Sequence, residues 1–179
     1  MRKLLQTAFL LILILVTAAC TEVKFRNIQP SNASILETFP DSLEGIYLNQ
    51  DGDTLMISEK NISLVNRASE CNPFYEHDSL GQDILLTFFK GSYLLNIQED
   101  SLWTLALIRH PNQKMLDVSL IDGEDLESLE TLSQITLVDT IFSEDGEVIH
   151  FIIDPDSTIL LEIIQHGLFS DHYQFKRID

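Results

Sequence analysis

Four runs decide the fold: Ile84-Leu85-Leu86-Thr87-Phe88-Phe89, Ser92-Tyr93-Leu94-Leu95-Asn96-Ile97, Leu102-Trp103-Thr104-Leu105-Ala106-Leu107-Ile108 and Met115-Leu116-Asp117-Val118-Ser119-Leu120-Ile121. Each has the length of a strand and is rich in β-branched, aromatic and leucine side chains. The separators Lys90-Gly91, Gln98-Glu99-Asp100-Ser101 and His110-Pro111-Asn112-Gln113 are short. Short turns predict an antiparallel meander, because a parallel pair needs a long crossover. Leu116, Val118 and Leu120 alternate with Asp117 and Ser119, so one face of the fourth strand is expected to be wet. The third run has few polar positions and is expected to be a central strand, with Trp103 and Leu105 on one face and Leu107 following them.

Working outward, Leu43 to Leu48 and Thr54 to Ser58 flank Gln50-Asp51-Gly52-Asp53 and read as a hairpin whose turn uses Gly52. A short strand is expected at Ile62 to Val65. Residues 66–82 read as a long loop, and loops of that length in a compact domain are often functional. After the meander the period changes. Leu126, Leu129 and Leu132 predict a helix at about 123–133, with Asp122 as its cap and Ile121 stapled to Leu126. Strands follow at Ile135 to Phe142 and Val148 to Ile153. A second helix over 155–166 has Asp154 as expected N-cap, Pro155 at its first position and Asp156 complementing the dipole. Ile159, Leu160, Ile163 and Ile164 form its apolar stripe, and Gly167 ends it in a Schellman turn with Leu168 touching Ile163. A last strand is expected at Tyr173 to Ile178. The fold class is α+β: a mainly antiparallel sheet with two short helices late in the chain, one domain over 41–179. The alternative is a lipocalin-like β-barrel.

The first twenty residues carry a different signal. Arg2 and Lys3 precede an apolar run from Ala8 to Val16, and Thr17-Ala18-Ala19 lead into Cys20. A charged head, an apolar core and small residues form a secretory signal peptide. The run is short for a membrane span, which needs about 20 apolar residues. The cysteine after Ala18-Ala19 resembles the lipobox of bacterial lipoprotein precursors, with Thr17 standing where that family usually has Leu, Val or Ile. The resemblance covers residues 1–20 and implies cleavage of 1–19 and acylation of Cys20, hence palmitate and a membrane partner reached through the lipid. Thr21, in place of an aspartate, implies the outer membrane, facing the periplasm by default, with exposure at the cell surface as the other arrangement. Residues 21–40, polar and holding Pro30 and Pro40, read as a flexible tether, so that 20–40 joins lipid to domain.

Net charge is −17, and loss of Arg2 and Lys3 with the signal makes the mature chain more acidic. Such a surface repels nucleic acid and opposes flat docking on anionic lipid, and it favours a basic envelope protein as partner. With Cys20 acylated, Cys71 has no partner for a disulfide. No nucleophile elbow, zinc, P-loop or dinucleotide motif occurs, so no catalytic residue, metal or cofactor is assigned. His77, His110, His150, His166 and His172 are scattered. His166 is placed to interact with the end of the second helix. Asp followed by Ser or Thr and then an apolar or Thr residue occurs at positions 41, 53, 78, 100, 139 and 156. That triplet resembles the acceptor of a general O-glycosylation system of Gram-negative exported proteins, with Ser42 and Ser79 the loop acceptors. Asp then Ser or Thr also starts ordinary strands and helices, so both readings stand. Phe74 and Tyr75 in the long loop are the expected binding patch, an aromatic anchor with acidic surroundings. These features predict a non-enzymatic ligand- or protein-binding module on a lipid anchor. The alternative is an envelope hydrolase, which would need a deep pocket gathering Asp or Glu with His77, His150 or His172.

Overall fold

The computed structural model describes residues 21–65 and 78–179. In chain order the elements are β1 (Glu22–Phe25), β2 (Ile35–Leu36), β3 (Gly45–Leu48), β4 (Thr54–Ile57), β5 (Asn61–Val65), β6 (Asp78–Ser79), β7 (Ile84–Phe89), β8 (Ser92–Glu99), β9 (Leu102–Asn112) and β10 (Met115–Leu120). Then come α1 (Leu126–Ile135), β11 (Asp139–Phe142), β12 (Val148–Ile153), α2 (Ser157–Gln165) and β13 (Asp171–Arg177).

The meander is present as read: β7 pairs with β8, β8 with β9 and β9 with β10, all antiparallel. Phe89 faces Ser92, and Lys90 and Gly91 between them both have positive φ, 51° and 89°. That is what a type I′ turn requires, and its twist matches the strands it joins. β9 is longer than expected and runs through His110-Pro111 to Asn112, leaving Gln113-Lys114 as the turn. A register shift between Met115 and Asp117 accompanies this, and an irregular ladder is where a strand tolerates proline. Beyond β10 the sheet continues through β13, β3, β4 and β5 to β6 and curls into a half-barrel. The fold is α+β with a mainly antiparallel sheet, and the curl gives it barrel character.

Two cores lie on the two faces of this sheet. Alternate residues of β7 to β10, β13 and β3 to β5 fill the inside, among them Leu86, Leu95, Ala106, Ile108, Val118, Phe175, Tyr47, Leu55 and Leu64. The opposite face of β8 and β9, through Leu94, Leu105 and Leu107, joins β1, β12 and both helices in a second core. Trp103 packs on that same side, with Leu105 and Leu107.

Residues 21–40 are not a tether. Val23, Lys24 and Phe25 are buried, and β1 lies between β9 and a parallel partner, β12, with Glu22 opposite His150 and Phe25 opposite Ile153. The chain is then tied down by buried polar groups. The Gln29 N–H donates to Asn96 Oδ1 at 2.6 Å, and the Gln29 carbonyl accepts from Thr87 Oγ1 at 2.8 Å and Asn96 Nδ2 at 3.0 Å. Ile35–Leu36 adds to the free edge of β7, and Phe39 is buried in the inner core. The composition that suggested a tether belongs to short turns between these attachment points.

Both helices start later than the spacing predicts. For α1 the cap is Asp125, whose Oδ1 accepts from the N–H groups of Glu127 and Ser128, while the Ser128 hydroxyl donates to Oδ2. Asp122 instead closes a local turn onto the Glu124 N–H, and Leu126, 79% exposed, makes no staple. For α2 the cap is Asp156, accepting from Thr158 and Ile159, and Asp154 accepts from the Asn27 side chain. In both cases the aspartate nearest the first inward residue wins the cap. The C-terminal end of α2 is as read: Gly167 has φ 71°, its N–H reaches the Ile164 carbonyl, and the Leu168 N–H reaches that of Ile163. Leu160 and Ile163 are fully buried. Ile135 belongs to α1, so the following strand begins at Asp139. Ser119 is also fully buried, so the far face of β10 is wet only toward Asp117. The long loop lies outside the described residues up to 77, and its end forms β6.

Candidate functional site

The outer edge of β9 changes partner part-way. Trp103 faces Phe25 of β1, whereas Leu107 faces Ser119 of β10. Between these rows β1 and β10 diverge, and the sheet forks. The wedge left open is a cleft of about 210 Å³ with Thr104 and Leu105 on its floor, Thr21 to Val23 on one wall and Leu120 to Glu124 on the other. A single bridge between Glu22 and Asp122 ties the two walls. Gly123 makes that approach feasible, since a Cβ there would lie 2.2 Å from the Thr21 carbonyl oxygen. Only glycine lets the two backbones come so close.

The rim is acidic: Glu22, Asp122, Glu124 and Asp171 all line it. The nearby cation is already engaged. Lys24, with 8% of its side chain exposed, pairs with Glu22 and donates to Glu99 Oε2 at 2.5 Å and Thr104 Oγ1 at 2.7 Å. Burial pulls its ammonium down, but the hydrogen bonds to Glu22 and Glu99 and their charges outweigh that and hold it above the usual lysine value. One ammonium between two carboxylates leaves excess negative charge beside the cleft. His150, opposite Glu22, is held below the usual imidazole value by burial and by Lys24, with Glu22 opposing. A neutral imidazole adds no positive charge there.

The described residues among those singled out from the sequence do not gather at this cleft. Cys20, Phe74, Tyr75, Cys71 and His77 lie outside the described residues. Ser42 is exposed in a turn. Ser79 is exposed but sits in β6, where its hydroxyl donates to Asn61 Oδ1 at 2.5 Å. His166 caps α2, its Nδ1 2.9 Å from the Glu162 carbonyl oxygen. His172 lies 3.3 Å from Asp117, and the depression it shares with Asp51 is lined by no Ser, Thr or Cys. Among the described residues no group of three or more His, Cys, Asp or Glu is arranged to hold a metal ion, and no helix is long and apolar enough to cross a membrane.

No known family model, curated protein or solved structure matches the chain. The cleft itself was missed in the sequence because it depends on β1, which pairs with strands remote in the chain. Asp122-Gly123-Glu124 is the one local trace of it, and there the glycine reads equally well as an ordinary turn.

Proposed function

We propose that the protein is a lipoprotein of the bacterial outer membrane, acylated at Cys20 and facing the periplasm, whose domain is a non-enzymatic binding module for a basic envelope protein. The observation that carries the binding reading is the cleft at the sheet fork, with four carboxylate side chains on its rim and the adjacent Lys24 ammonium consumed by Glu22 and Glu99. A lysine or arginine side chain presented by a partner is the chemistry such a rim accepts, and complementary charge speeds the encounter. Enzymatic chemistry has less support, since no histidine among the described residues lines the cleft.

Two measurements test the two halves. Cys20→Ser should abolish incorporation of labelled palmitate and release the protein from membranes; unchanged membrane retention removes the anchor. For the cleft, a lysine-rich peptide titrated into the protein should shift the amide resonances of Thr21, Thr104 and Gly123. Affinity should fall as salt rises and fall further in Asp122→Asn, Glu124→Gln. If affinity survives that pair but is lost in Phe74→Ala, Tyr75→Ala, the binding patch is the loop and the cleft assignment fails.

A further inference from the structure

The end of the sheet at which the described chain begins carries an apolar tip. β12 runs parallel to β1 with Glu22 opposite His150, and β11 returns antiparallel with Ile141 opposite that same His150. The three strands are level at this row, so the β11–β12 turn over residues 143–147 lies at the Thr21 end. Phe142 and Ile149 flank the turn and are 58% and 45% exposed. One strand spacing of about 4.8 Å separates β1 from β12 and two separate it from β11, which puts Ile149 about 5 Å and Phe142 roughly 10 Å across the sheet from β1. Two large apolar side chains standing exposed beside one turn of so acidic a chain offer a contact surface at this tip.

The anchor proposal says what covers it, and the inference rests on that proposal. Residue 20 is one peptide, about 3.8 Å, from Thr21. Thr21 is itself held by Gly123 and followed directly by β1, so there is no slack with which the domain could stand away from its lipid. We infer that Phe142 and Ile149 form a foot that seats end-on in the interfacial layer of the bilayer holding the Cys20 acyl chains, on the flank of β1 away from the cleft and its Leu120 to Glu124 wall. The foot differs from flat docking, which the charge of the chain opposes, because acyl chains and apolar side chains supply the attraction. Glu144, Asp145 and Glu147 in the intervening turn keep it at headgroup level, since carboxylates are costly in hydrocarbon.

The test uses the mature acylated protein in a Cys71→Ser background, where the introduced cysteine supplies the reactive thiol. An environment-sensitive fluorophore is placed at Phe142→Cys, Ile149→Cys or Ser101→Cys, the last in the β8–β9 turn at the opposite end of β1. Each protein is reconstituted into zwitterionic phosphatidylcholine vesicles with and without headgroup-spin-labelled lipid. Dyes at 142 and 149 should shift to the blue and be quenched, and the dye at 101 should do neither. If the protein floats with the vesicles while 142 and 149 behave like 101, the foot is wrong and the anchor stands. If the protein is not acylated and does not float, both fail. Burial of 142 and 149 without lipid, together with dimerisation, would assign this edge to a second copy of the chain and overturn the foot.

Discussion

Leu94 and Leu95 are neighbours in β8 and both are fully buried, yet they belong to different cores. Leu95 faces the inside of the curl, among residues of strands joined by short turns. Leu94 faces β1, β12 and the helices, segments drawn from both ends of the chain. The inner core is therefore assembled largely by local pairing, and the outer one by long-range closure. Pairing of the first kind leaves a period of two in the sequence; closure of the second kind leaves almost nothing.

The largest effect should come from truncating each core in turn. Leu95→Ala and Ile163→Ala should each cost about 2–5 kcal/mol, the range for emptying a buried aliphatic site. Denaturant unfolding followed by far-ultraviolet circular dichroism and by Trp103 fluorescence then decides whether the cores are one unit. Coincident transitions in both variants mean a single cooperative fold. A separate early transition in Ile163→Ala alone would make the outer layer a distinct unit. A loss below about 0.5 kcal/mol is the range of surface changes and would refute the buried placement of Ile163.

A smaller effect is expected where the two regions meet. Gly123→Ala puts a methyl group into the Thr21 carbonyl, and because the obstacle is backbone, β1 must shift. Overpacking of this kind costs about 1–3 kcal/mol. Hydrogen exchange should quicken at Glu22 to Phe25 and remain unchanged in β7 and β8; equal loss of protection in both would mean that β1 and the meander open together.

The smallest effect is a pH dependence carried by two histidines, one on the meander strand β9 and one on β12. Burial and then Arg177 lower His110 on β9; burial and then Lys24 lower His150 on β12, with Glu22 opposing. Because both fall below the ordinary value of 6.5, the unfolded chain takes up more protons as pH drops through 6.5. The melting temperature should therefore decline on acidification across that window and be regained above it. His150→Gln should flatten part of the slope, and an unchanged profile would show that His150 titrates freely.

The contrast between the cores also explains what could be read in advance. The meander, the β3–β4 hairpin and the Schellman end of α2 depend on residues within a few positions of each other, and all three were legible. β1 was not. Glu-Val-Lys-Phe is too short to establish a period, and its buried lysine looks wrong for a strand until Glu99 and Thr104 arrive from elsewhere. Asn96 offered a clue, as a polar residue in an apolar run, but not to what it would hold. Choosing between Asp122 and Asp125 as the α1 cap depended on the Ser128 hydroxyl, which is visible in sequence but easily outweighed by the leucine spacing.

The position of β1 also governs the order of assembly. It is the first described strand, yet its ladder partners are β9 and, nearly at the other end of the chain, β12. The meander can zip from neighbour to neighbour as soon as it is made. β1 must wait for residues 148–153, and such non-local closure is what slows folding. During synthesis, the hydrogen-bonding groups and apolar side chains of Glu22 to Phe25 are therefore made before their partners and protected last, an interval in which a chaperone has a defined segment to hold.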